Sequence, residues 1–554
     1  MAAPLVELEA VSFRYRRATS PAVRDLSLSV ERGEVLLIAG PSGCGKSTVI
    51  RAINGLIPHA YTGELSGRVR LEGRPTTDLR LRDIGRIVGT LLQDPAKQIV
   101  GATVEAELAF GPENAGMAPE EIAQRIVEVM DETELHSLAG RQTASLSGGE
   151  LQLLAMAGTL MQRPSCYVVD EPLANLDPYT ASHLLRILRR LADAGHAVII
   201  VEHRVEQALA LAPDRVLGMS DARATYLGPP AGFLAVADVD AVRLPFDVVL
   251  ERERASPSHG PGMPPAAGRT DAGPSRLAFE DVHVTLGVRA VLRGISADLH
   301  ANEVVAVLGP NGSGKTTLFR AAMQLLALDA GRVSVDGRDV TGRPVAELAR
   351  TIGYVFQSPS QMLFARTVRE ELLFGPGNLG LDVGDPDPYA LDALGRVGLA
   401  EEEGILDRPP LTLSFGQQKR LALAIALSIR PRTLILDEPS AGQDHRTSLA
   451  FMAEVAAIPG LQSAYFITHD VDLALTHADR ILVIRDGRIV ADGPPAAVVE
   501  DADRWHASNL QRTSLMDANL ARGTPAGRFL DARSLARAIV AQTEESDVNR
   551  RNGS

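Results

Sequence analysis

Two glycine-rich segments of the chain carry the pattern G-x-x-x-x-G-K-[ST], whose residue types suit the binding of phosphate groups. Successive backbone N–H groups of such a loop and the N-terminus of the following helix form a concave site for an anion. Lys46 and Lys315 would add positive charge near the β- and γ-phosphates of a nucleotide, and the hydroxyls of Ser47 and Thr316 would ligate Mg²⁺. The predicted phosphate-binding residues are Gly40, Pro41, Ser42, Gly43, Cys44, Gly45, Lys46, Ser47, Thr48, Gly309, Pro310, Asn311, Gly312, Ser313, Gly314, Lys315, Thr316 and Thr317.

An acidic pair follows an apolar run in each half of the chain: Asp170 with Glu171, and Asp437 with Glu438. Each aspartate would end a buried strand, which places its carboxylate at the edge of a sheet beside the phosphate site. There the aspartate would hold magnesium through water, and the adjacent glutamate would polarise an attacking water. A strand-terminal Asp-Glu pair alone is often a solvated turn, but here a phosphate loop precedes both pairs.

These residues recur in the second half of the chain at a nearly constant offset, which indicates that one domain has been duplicated. A lone histidine after a strand is more often a cap or a surface residue, whereas two histidines at matching positions favour a function. The recurring pairs are Lys46 and Lys315, Gln93 and Gln357, Ser147 and Ser414, Asp170 and Asp437, and His203 and His469.

Short apolar runs lead into these residues and would position them. Such continuous apolar runs are typical of strands buried on both faces of a parallel sheet. We therefore expect an α/β fold in each half, with helices on both faces of a mostly parallel sheet. The runs are 35–39, 166–170, 197–201, 304–308, 433–437 and 464–468.

The composition narrows the classes of function. The chain has 554 residues, a net charge of −13 and two cysteines, Cys44 and Cys166. This length fits two domains of about 200 to 250 residues, and the acidity argues against a broad nucleic-acid-binding face. The cysteine count favours a reducing cytosol over a disulfide framework. The N-terminus lacks a secretory signal pattern, and no apolar run approaches the ~20 residues that span a bilayer.

Breaks in the pattern divide the chain into four segments. We expect domains at 1–245 and 276–500, a linker at 246–275 and a tail at 501–554. Closely spaced Pro, Gly and Ser in the linker should prevent a helix or strand. In the tail, apolar residues from Phe529 to Val540 recur at helical spacing and predict one amphipathic helix. This helix either docks on its own domain or binds a partner.

A short signature precedes each acidic pair, and with it the chain resembles the ATP-binding cassette (ABC) family. The resemblance covers both halves and implies two phosphate-loop NTPase cassettes, each with a mostly parallel sheet core, an antiparallel β subdomain and a helical signature subdomain. It also implies that ATP and Mg²⁺ are bound, and that two cassettes pack head to tail with each ATP between the phosphate loop of one and the signature of the other. The signature residues are Leu146, Ser147, Gly148, Gly149, Glu150, Leu413, Ser414, Phe415, Gly416 and Gln417.

The same resemblance implies the remaining roles. Glu171 and Glu438 are the catalytic glutamates, with His203 and His469 as switch histidines. Gln93 and Gln357 form the glutamine loops and, with the loop hydroxyls and Asp170 and Asp437, reach the metal and nucleotide. The segments 175–177 and 442–444 follow the catalytic glutamates.

The chain departs from the family pattern at several positions. Tyr15 matches the aromatic residue that stacks on adenine, although a core aromatic is the alternative, and Leu286 holds the corresponding position in the second half. Phe415 stands where glycine is usual, and Glu150 where glutamine is usual. Because both glutamates and both histidines are present, we expect two hydrolysing sites of unequal quality, with weaker nucleotide binding at Lys315.

A narrower resemblance is to the cassettes of energy-coupling factor (ECF) importers, which take up vitamins and transition-metal ions. It rests on the segments 93–98 and 357–361 after the glutamine loops, and on the runs 103–114 and 367–378, which contain F-G-P-x-N. In those relatives this segment contacts coupling helices of a transmembrane subunit, so Gln98 and Gln361 would lie near that interface. The alternative is a simple surface helix start.

The function that we infer from the sequence is that of a tandem-cassette ATPase on the cytoplasmic face of the membrane. It would energise import with a separate transmembrane coupling subunit and a substrate-capture subunit, and it would bind no nucleic acid. The main alternative is a soluble tandem-cassette ATPase that acts on ribosomes or nucleic acid, but such proteins typically have a long charged helical linker. A non-enzymatic scaffold is disfavoured by the two complete sets of catalytic residues.

Overall fold

The computed structural model describes residues 3–16, 18–173, 176–256, 273–441, 443–501, 505, 510–522 and 529–552, with side chains in the last range to residue 543. The chain forms two compact units. The first unit contains Met1–Arg252 with Asp444–Arg446, and the second contains Glu253–Gln443 with Thr447–Ser554.

The described residues of the first unit form two sheets. One is antiparallel, with strand order β2-β1-β4-β5; the other has the order β10-β9-β3-β8-β7-β6 and is parallel except for the β9–β10 pair. The strands are β1 Val6–Tyr15, β2 Val23–Val30, β3 Val35–Ala39, β4 Gly63–Leu71, β5 Arg74–Pro75, β6 Val88–Leu91, β7 Cys166–Asp170, β8 Ala197–Val201, β9 Arg215–Ser220 and β10 Arg223–Gly228.

The second unit repeats this arrangement. Its antiparallel sheet has the order β12-β11-β14-β15, and its larger sheet has the order β16-β17-β18-β13-β19-β20 with an antiparallel β19–β20 pair. The strands are β11 Ser275–Leu286, β12 Arg289–His300, β13 Val304–Leu308, β14 Ala330–Val335, β15 Arg338–Asp339, β16 Ile352–Val355, β17 Thr433–Asp437, β18 Ser463–Ile467, β19 Arg480–Arg485 and β20 Arg488–Gly493.

Helices follow the strands in both units, and this confirms the predicted α/β fold. They are α1 Lys46–Ile53, α2 Leu56–His59, α3 Leu81–Ile87, α4 Val104–Ala115, α5 Pro119–Thr133, α6 Gly148–Leu160, α7 Pro178–Asp193, α8 Val205–Ala208, α9 Pro230–Val236, α10 Phe246–Ala255, α11 Lys315–Ala322, α12 Val345–Leu348, α13 Val368–Asn378, α14 Pro386–Gly395, α15 Phe415–Ser428, α16 His445–Ala456, α17 Val471–His477, α18 Pro495–Glu500, α19 Ser514–Arg522 and α20 Ala532–Asn552.

The parallel strands lie in the core. Every residue of β3, β8, β17 and β18 is buried, which explains why these strands are almost wholly apolar. Since neighbouring parallel strands point the same way, their carboxyl ends meet at one edge of each sheet. The residues that the sequence predicts to be catalytic lie at that edge.

Two sequence expectations about the ends of the units need correction. Helix α10 lies inside the predicted linker. Its apolar residues, such as Phe246 and Val249, are buried, and the helix ends before Pro257, the first proline of that segment. Residues 257–272 lie outside the described residues. The described residues of the tail include two helices, α19 and α20, where one was predicted. Trp505, Met516 and Phe529 of the tail join the core cluster of the second unit, which supports docking on its own domain.

Candidate functional site

The glycine loop of the first unit connects β3 to α1 by a backbone path that glycine alone follows easily. Gly40 has φ 155° and Gly45 has φ 110°, and a Cβ on either would lie 2.2 Å from a carbonyl oxygen, of Met219 and Ala22 respectively. In the second unit Gly309 and Gly314 have φ 146° and 107°. The loops thus place their backbone against the preceding strand and start a helix directly behind it.

The lysine at the start of each of these helices is buried and turns back over its loop. Lys46 Nζ donates to the carbonyl oxygens of Gly40 and Pro41, both at 2.8 Å. Lys315 Nζ donates to those of Gly309 and Pro310, at 2.7 and 2.9 Å. Both ammonium groups are therefore held at the mouth of the loop, where the phosphates of a nucleotide would bind.

The next residue of each loop pairs with the strand-terminal aspartate. Ser47 Oγ lies 3.5 Å from Asp170 Oδ1, and Thr316 Oγ1 donates to Asp437 Oδ1 at 3.1 Å. Tyr354 OH donates to the other oxygen of Asp437. Burial, and then the charge of Glu438, raise the pKa of Asp437 to about 6. A hydroxyl beside a carboxylate is an oxygen donor set that suits Mg²⁺, which takes one or two such protein ligands along with phosphate oxygens.

Glu171 lies among three other predicted site residues of the first unit. Gln93 Nε2 donates to its Oε2 at 2.8 Å, and Lys46 Nζ and His203 Nδ1 each lie 4.0 Å from its Oε1. Burial, and then the charge of Glu202, raise the pKa of Glu171 to about 7. Burial, with the charges of nearby Arg204 and Lys46, lowers the pKa of His203 to about 3, so this imidazole is neutral.

Glu438 has a different partner in the second unit. His469 Nε2 lies 2.9 Å from Glu438 Oε1, and the backbone N–H of His469 approaches Oε2 at 3.4 Å. Burial raises the pKa of Glu438, but the charge and hydrogen bonds of His469 outweigh this and lower it below its ordinary value. Gln357 follows β16, as Gln93 follows β6. Both glutamates have a positive φ, 45° for Glu171 and 51° for Glu438, which is uncommon for a residue with a side chain.

Each signature serine caps the helix that follows it. Ser147 and Glu150 form a reciprocal capping box at the start of α6, and Ser414 and Gln417 do so at the start of α15. The last signature residue therefore acts through a side-chain oxygen, which glutamate and glutamine both provide. Phe415 is the first residue of α15, with its side chain 47% exposed. The helix N-termini that present Gly148, Gly149 and Gly416 are suited to anions.

The chain matches the ABC transporter family over residues 23–174 and 292–441. It belongs to this family. Relatives with provisional names as ABC transporter ATP-binding proteins match along nearly their whole length. The protein of Streptococcus mutans is 33% identical, over 93% of this chain and 95% of the relative. That of Methanosarcina acetivorans is 32% identical, over 92% and 88%, and that of Streptomyces coelicolor is 35% identical, over 89% and 95%.

A solved structure of cbiO1 from Clostridium perfringens, described as part of the ABC transporter complex cbiONQ, is 32% identical to this chain. The match covers 43% of this chain and 96% of that one, with a TM-score of 0.38. The family matches identify the protein as a tandem ABC ATPase, the ATP-binding component of a transporter. Within the described ranges, none of the helices combines the length and the apolar character that a membrane span requires.

The two cassettes differ where adenine is expected to bind. In the first cassette Tyr15 OH lies 3.2 Å from Thr48 Oγ1 and accepts a hydrogen bond from Arg51, so its ring stands beside the phosphate-loop helix. In the second cassette Leu286 is 44% exposed. The guanidinium of Arg289, which the sequence pattern did not single out, donates to Gly312 O of the loop at 3.4 Å. A planar guanidinium can stack on a base, as an aromatic ring does.

The segment after each glutamine loop presents large apolar side chains to solvent. The exposed apolar pairs are Val100 with Phe110 in the first cassette, exposed by 62% and 50%, and Phe364 with Phe374 in the second, exposed by 64% and 52%. The two pairs occupy equivalent positions in the repeat, because Val100 corresponds to Phe364 and Phe110 corresponds to Phe374. In the second cassette the two rings touch edge to face, with centroids 4.8 Å apart.

A buried glutamate holds each of these segments. Glu107 Oε2 accepts hydrogen bonds from the backbone of Val100 and Gly101, at 2.8 and 2.6 Å. Glu371 Oε2 accepts from the backbone of Phe364 and Ala365, at 3.1 and 2.7 Å. The sequence analysis did not predict this role. A glutamate at the same position on the apolar face of both α4 and α13 could have indicated it.

The amide of Gln98 is bonded inside its own cassette, and its place near a partner interface stays a prediction. Its amide accepts from Leu92 N and donates to Thr90 O within its own cassette, at 3.0 and 3.2 Å. It therefore braces the glutamine loop from inside, whereas Gln361 is exposed. The repeat register explains the difference, because Gln361 corresponds to Lys97. The predicted segment 175–177 begins at a residue outside the described part of the chain, as does 442–444.

Proposed function

We propose that this protein is the ATP-hydrolysing energy-coupling subunit of an ECF-type importer of vitamins or transition-metal ions. It acts on the cytoplasmic face of the membrane with a separate transmembrane coupling subunit and a substrate-capture subunit. The observation that carries this proposal is the presence of an exposed apolar pair at the same position in both cassettes, beside each glutamine loop. Exposed apolar surface that is repeated in this way suits a protein partner that contacts both cassettes.

The catalytic groups of each cassette suit in-line attack of water on the γ-phosphate. Lys46 and Lys315 are already held at the loop mouth and neutralise phosphate charge. Glu171 and Glu438 polarise the attacking water, and His469 orients Glu438 through their 2.9 Å contact. Mg²⁺, held by Ser47 with Asp170, by Thr316 with Asp437 and by the glutamine-loop amides of Gln93 and Gln357, would offset charge on the phosphate oxygens.

The structural change that accompanies hydrolysis is transmitted to the partner through the glutamine loops. Gln93 contacts Glu171 directly, and the segment that carries Val100 begins a few residues later. Gln98 and Glu107 fix this segment from inside the cassette. A change at the catalytic glutamate is therefore close to a pre-shaped apolar surface. An apolar cytoplasmic helix of the transmembrane subunit is the occupant that fits it.

The test replaces the exposed apolar side chains with charged ones. Val100→Asp with Phe364→Asp should abolish co-purification of the tagged protein with integral membrane polypeptides from detergent-solubilised membranes of its host. Val236→Asp is the matched control, because Val236 is also 64% exposed but lies on α9. Unstimulated ATP hydrolysis should persist in all of these variants.

Two results would contradict the proposal. Membrane polypeptides could remain bound to the Val100→Asp, Phe364→Asp protein as well as to the control. Alternatively, the unmodified protein could sediment with ribosomes and hydrolyse ATP faster when RNA is added, which would favour the soluble tandem-cassette alternative.

A further inference from the structure

The loop that follows each catalytic glutamate is held by a different buried charge in the two cassettes. In the second cassette the charge is an ammonium on the signature helix. Lys419 Nζ donates to the carbonyl oxygens of Glu438 at 3.3 Å, Pro439 at 2.9 Å and Ala441 at 2.5 Å. The side chain of Lys419 is 6% exposed and borders a small cavity that Asp437 and Glu438 also line.

The first cassette has glutamine at the equivalent helix position. Gln152 stands five residues after the signature serine, as Lys419 does, and it is 3% exposed. Its Nε2 is buried without a hydrogen-bond partner among the described residues. Within the described part of the chain, the clamp from the signature helix is therefore present in the second cassette and not in the first.

A carboxylate from the switch-histidine segment holds the loop of the first cassette. Glu202, which is fully buried, accepts a hydrogen bond from Leu173 N at 2.9 Å and from the backbone of His203 at 3.1 Å. Arg204 Nη1 donates to Leu173 O at 3.4 Å, so both polar groups of this backbone unit are engaged.

The second cassette has no such carboxylate at this position. Thr468 replaces Glu202, and its hydroxyl accepts from Asp470 N within the same turn. Among the described residues, each clamp is thus present in one cassette, and the other cassette has a different residue without these contacts at the equivalent position.

We infer that Lys419 and Glu202 are positioning residues, each of which fixes the catalytic glutamate of its own cassette by holding the loop behind it. The inference rests on the proposed roles of Glu438 and Glu171. A glutamate at positive φ needs such support, because its backbone conformation is uncommon for a residue with a side chain. Lys419 ties Glu438 to the signature helix, and Glu202 ties Glu171 to the switch histidine.

The natural exchange of residues between cassettes supplies the test. Lys419→Gln copies Gln152, and Glu202→Thr copies Thr468. Single-turnover ATP hydrolysis is measured in two backgrounds, Glu171→Gln and Glu438→Gln, each of which leaves one catalytic glutamate.

Lys419→Gln should slow hydrolysis about tenfold in the Glu171→Gln background, with the Kd for ATP changed less than about twofold, and leave the Glu438→Gln background unaffected. Glu202→Thr should show the opposite pattern. Lys419→Arg should restore part of the rate, because a guanidinium can also donate to several carbonyls.

Amide hydrogen exchange tests the same loops directly, including when a background or a variant is inactive. Lys419→Gln should speed exchange over 438–441 and not over 171–173, and Glu202→Thr should do the reverse. Equal effects of a variant in both backgrounds and on both loops, or no effect in either, would overturn the inference. Hydrolysis that persists when both glutamates are replaced would instead contradict the proposed catalytic roles and leave the exchange result to decide on the clamps.

Discussion

Removing the Glu107 carboxylate tests whether the apolar surface beside the first glutamine loop is held in shape. Glu107 is 8% exposed, and its Oε2 accepts hydrogen bonds from two successive backbone N–H groups, at 2.8 and 2.6 Å. A hydrogen bond to a charged group contributes about 1.5 to 3 kcal/mol. Because the segment is partly exposed and water can replace some of this, Glu107→Ala should destabilise it locally by roughly 2 to 4 kcal/mol.

The assay is amide hydrogen exchange, because a chain with two cassettes does not unfold in one two-state step. A local loss of 2 to 4 kcal/mol corresponds to roughly 30- to 900-fold faster exchange at Val100 and Gly101. Glu113→Ala is the matched control, since Glu113 lies on the same helix with its side chain exposed. If Glu107→Ala changes exchange less than about threefold, or no more than the control does, the buried carboxylate does not hold this segment.

Two further predictions concern pH and nucleotide affinity. Burial lowers the pKa of His477 from 6.5 to about 4. The unfolded chain therefore binds a proton below pH 6.5 that the folded chain binds only near pH 4, and the second cassette should lose up to about 3 kcal/mol of stability as the pH falls over that interval. The urea midpoint of the transition that unfolds the second cassette, measured from pH 7 to 4.5, should depend less on pH in His477→Gln, and an unchanged dependence would remove His477 as the cause. In calorimetric titration of ATP into protein without catalytic glutamates, Tyr15→Leu should weaken the first site by roughly fivefold to a hundredfold, as the loss of a stacking platform does. Arg289→Ala should weaken the second site and Arg293→Ala should not, whereas equal affinities in every variant would refute a role for either residue in base stacking.

The predictable parts of the structure are those whose reasons are local. The buried strands read as continuous apolar runs, the glycine loops need positive φ at Gly40 and Gly45, and the acidic pairs follow directly from the strand ends. The positions of Gln98 and Glu107 could not be read in this way, because their partners are backbone groups six or seven residues away whose orientation depends on a turn.

The clamps behind the catalytic glutamates are even harder to predict from residue spacing. Lys419 reaches carbonyls about twenty residues later in the chain, and Glu202 reaches an amide about thirty residues earlier. Tertiary packing decides which helix lies beside which loop, and the two repeats have different residues and contacts at equivalent positions. The tail was underestimated for a related reason, since the apolar residues that fold α19 onto the second cassette are too few to give a periodic pattern.

The central claim, that each cassette hydrolyses ATP with a glutamate directly after β7 or β17, is tested most directly by replacing both glutamates. Glu171→Gln with Glu438→Gln keeps the shape of the side chains but removes the charge that polarises water. Steady-state phosphate release should fall below about a tenth of the unmodified rate, a barrier increase of at least ~1.4 kcal/mol, while the protein still binds ATP. A double variant that binds ATP and retains more than that tenth would contradict the account.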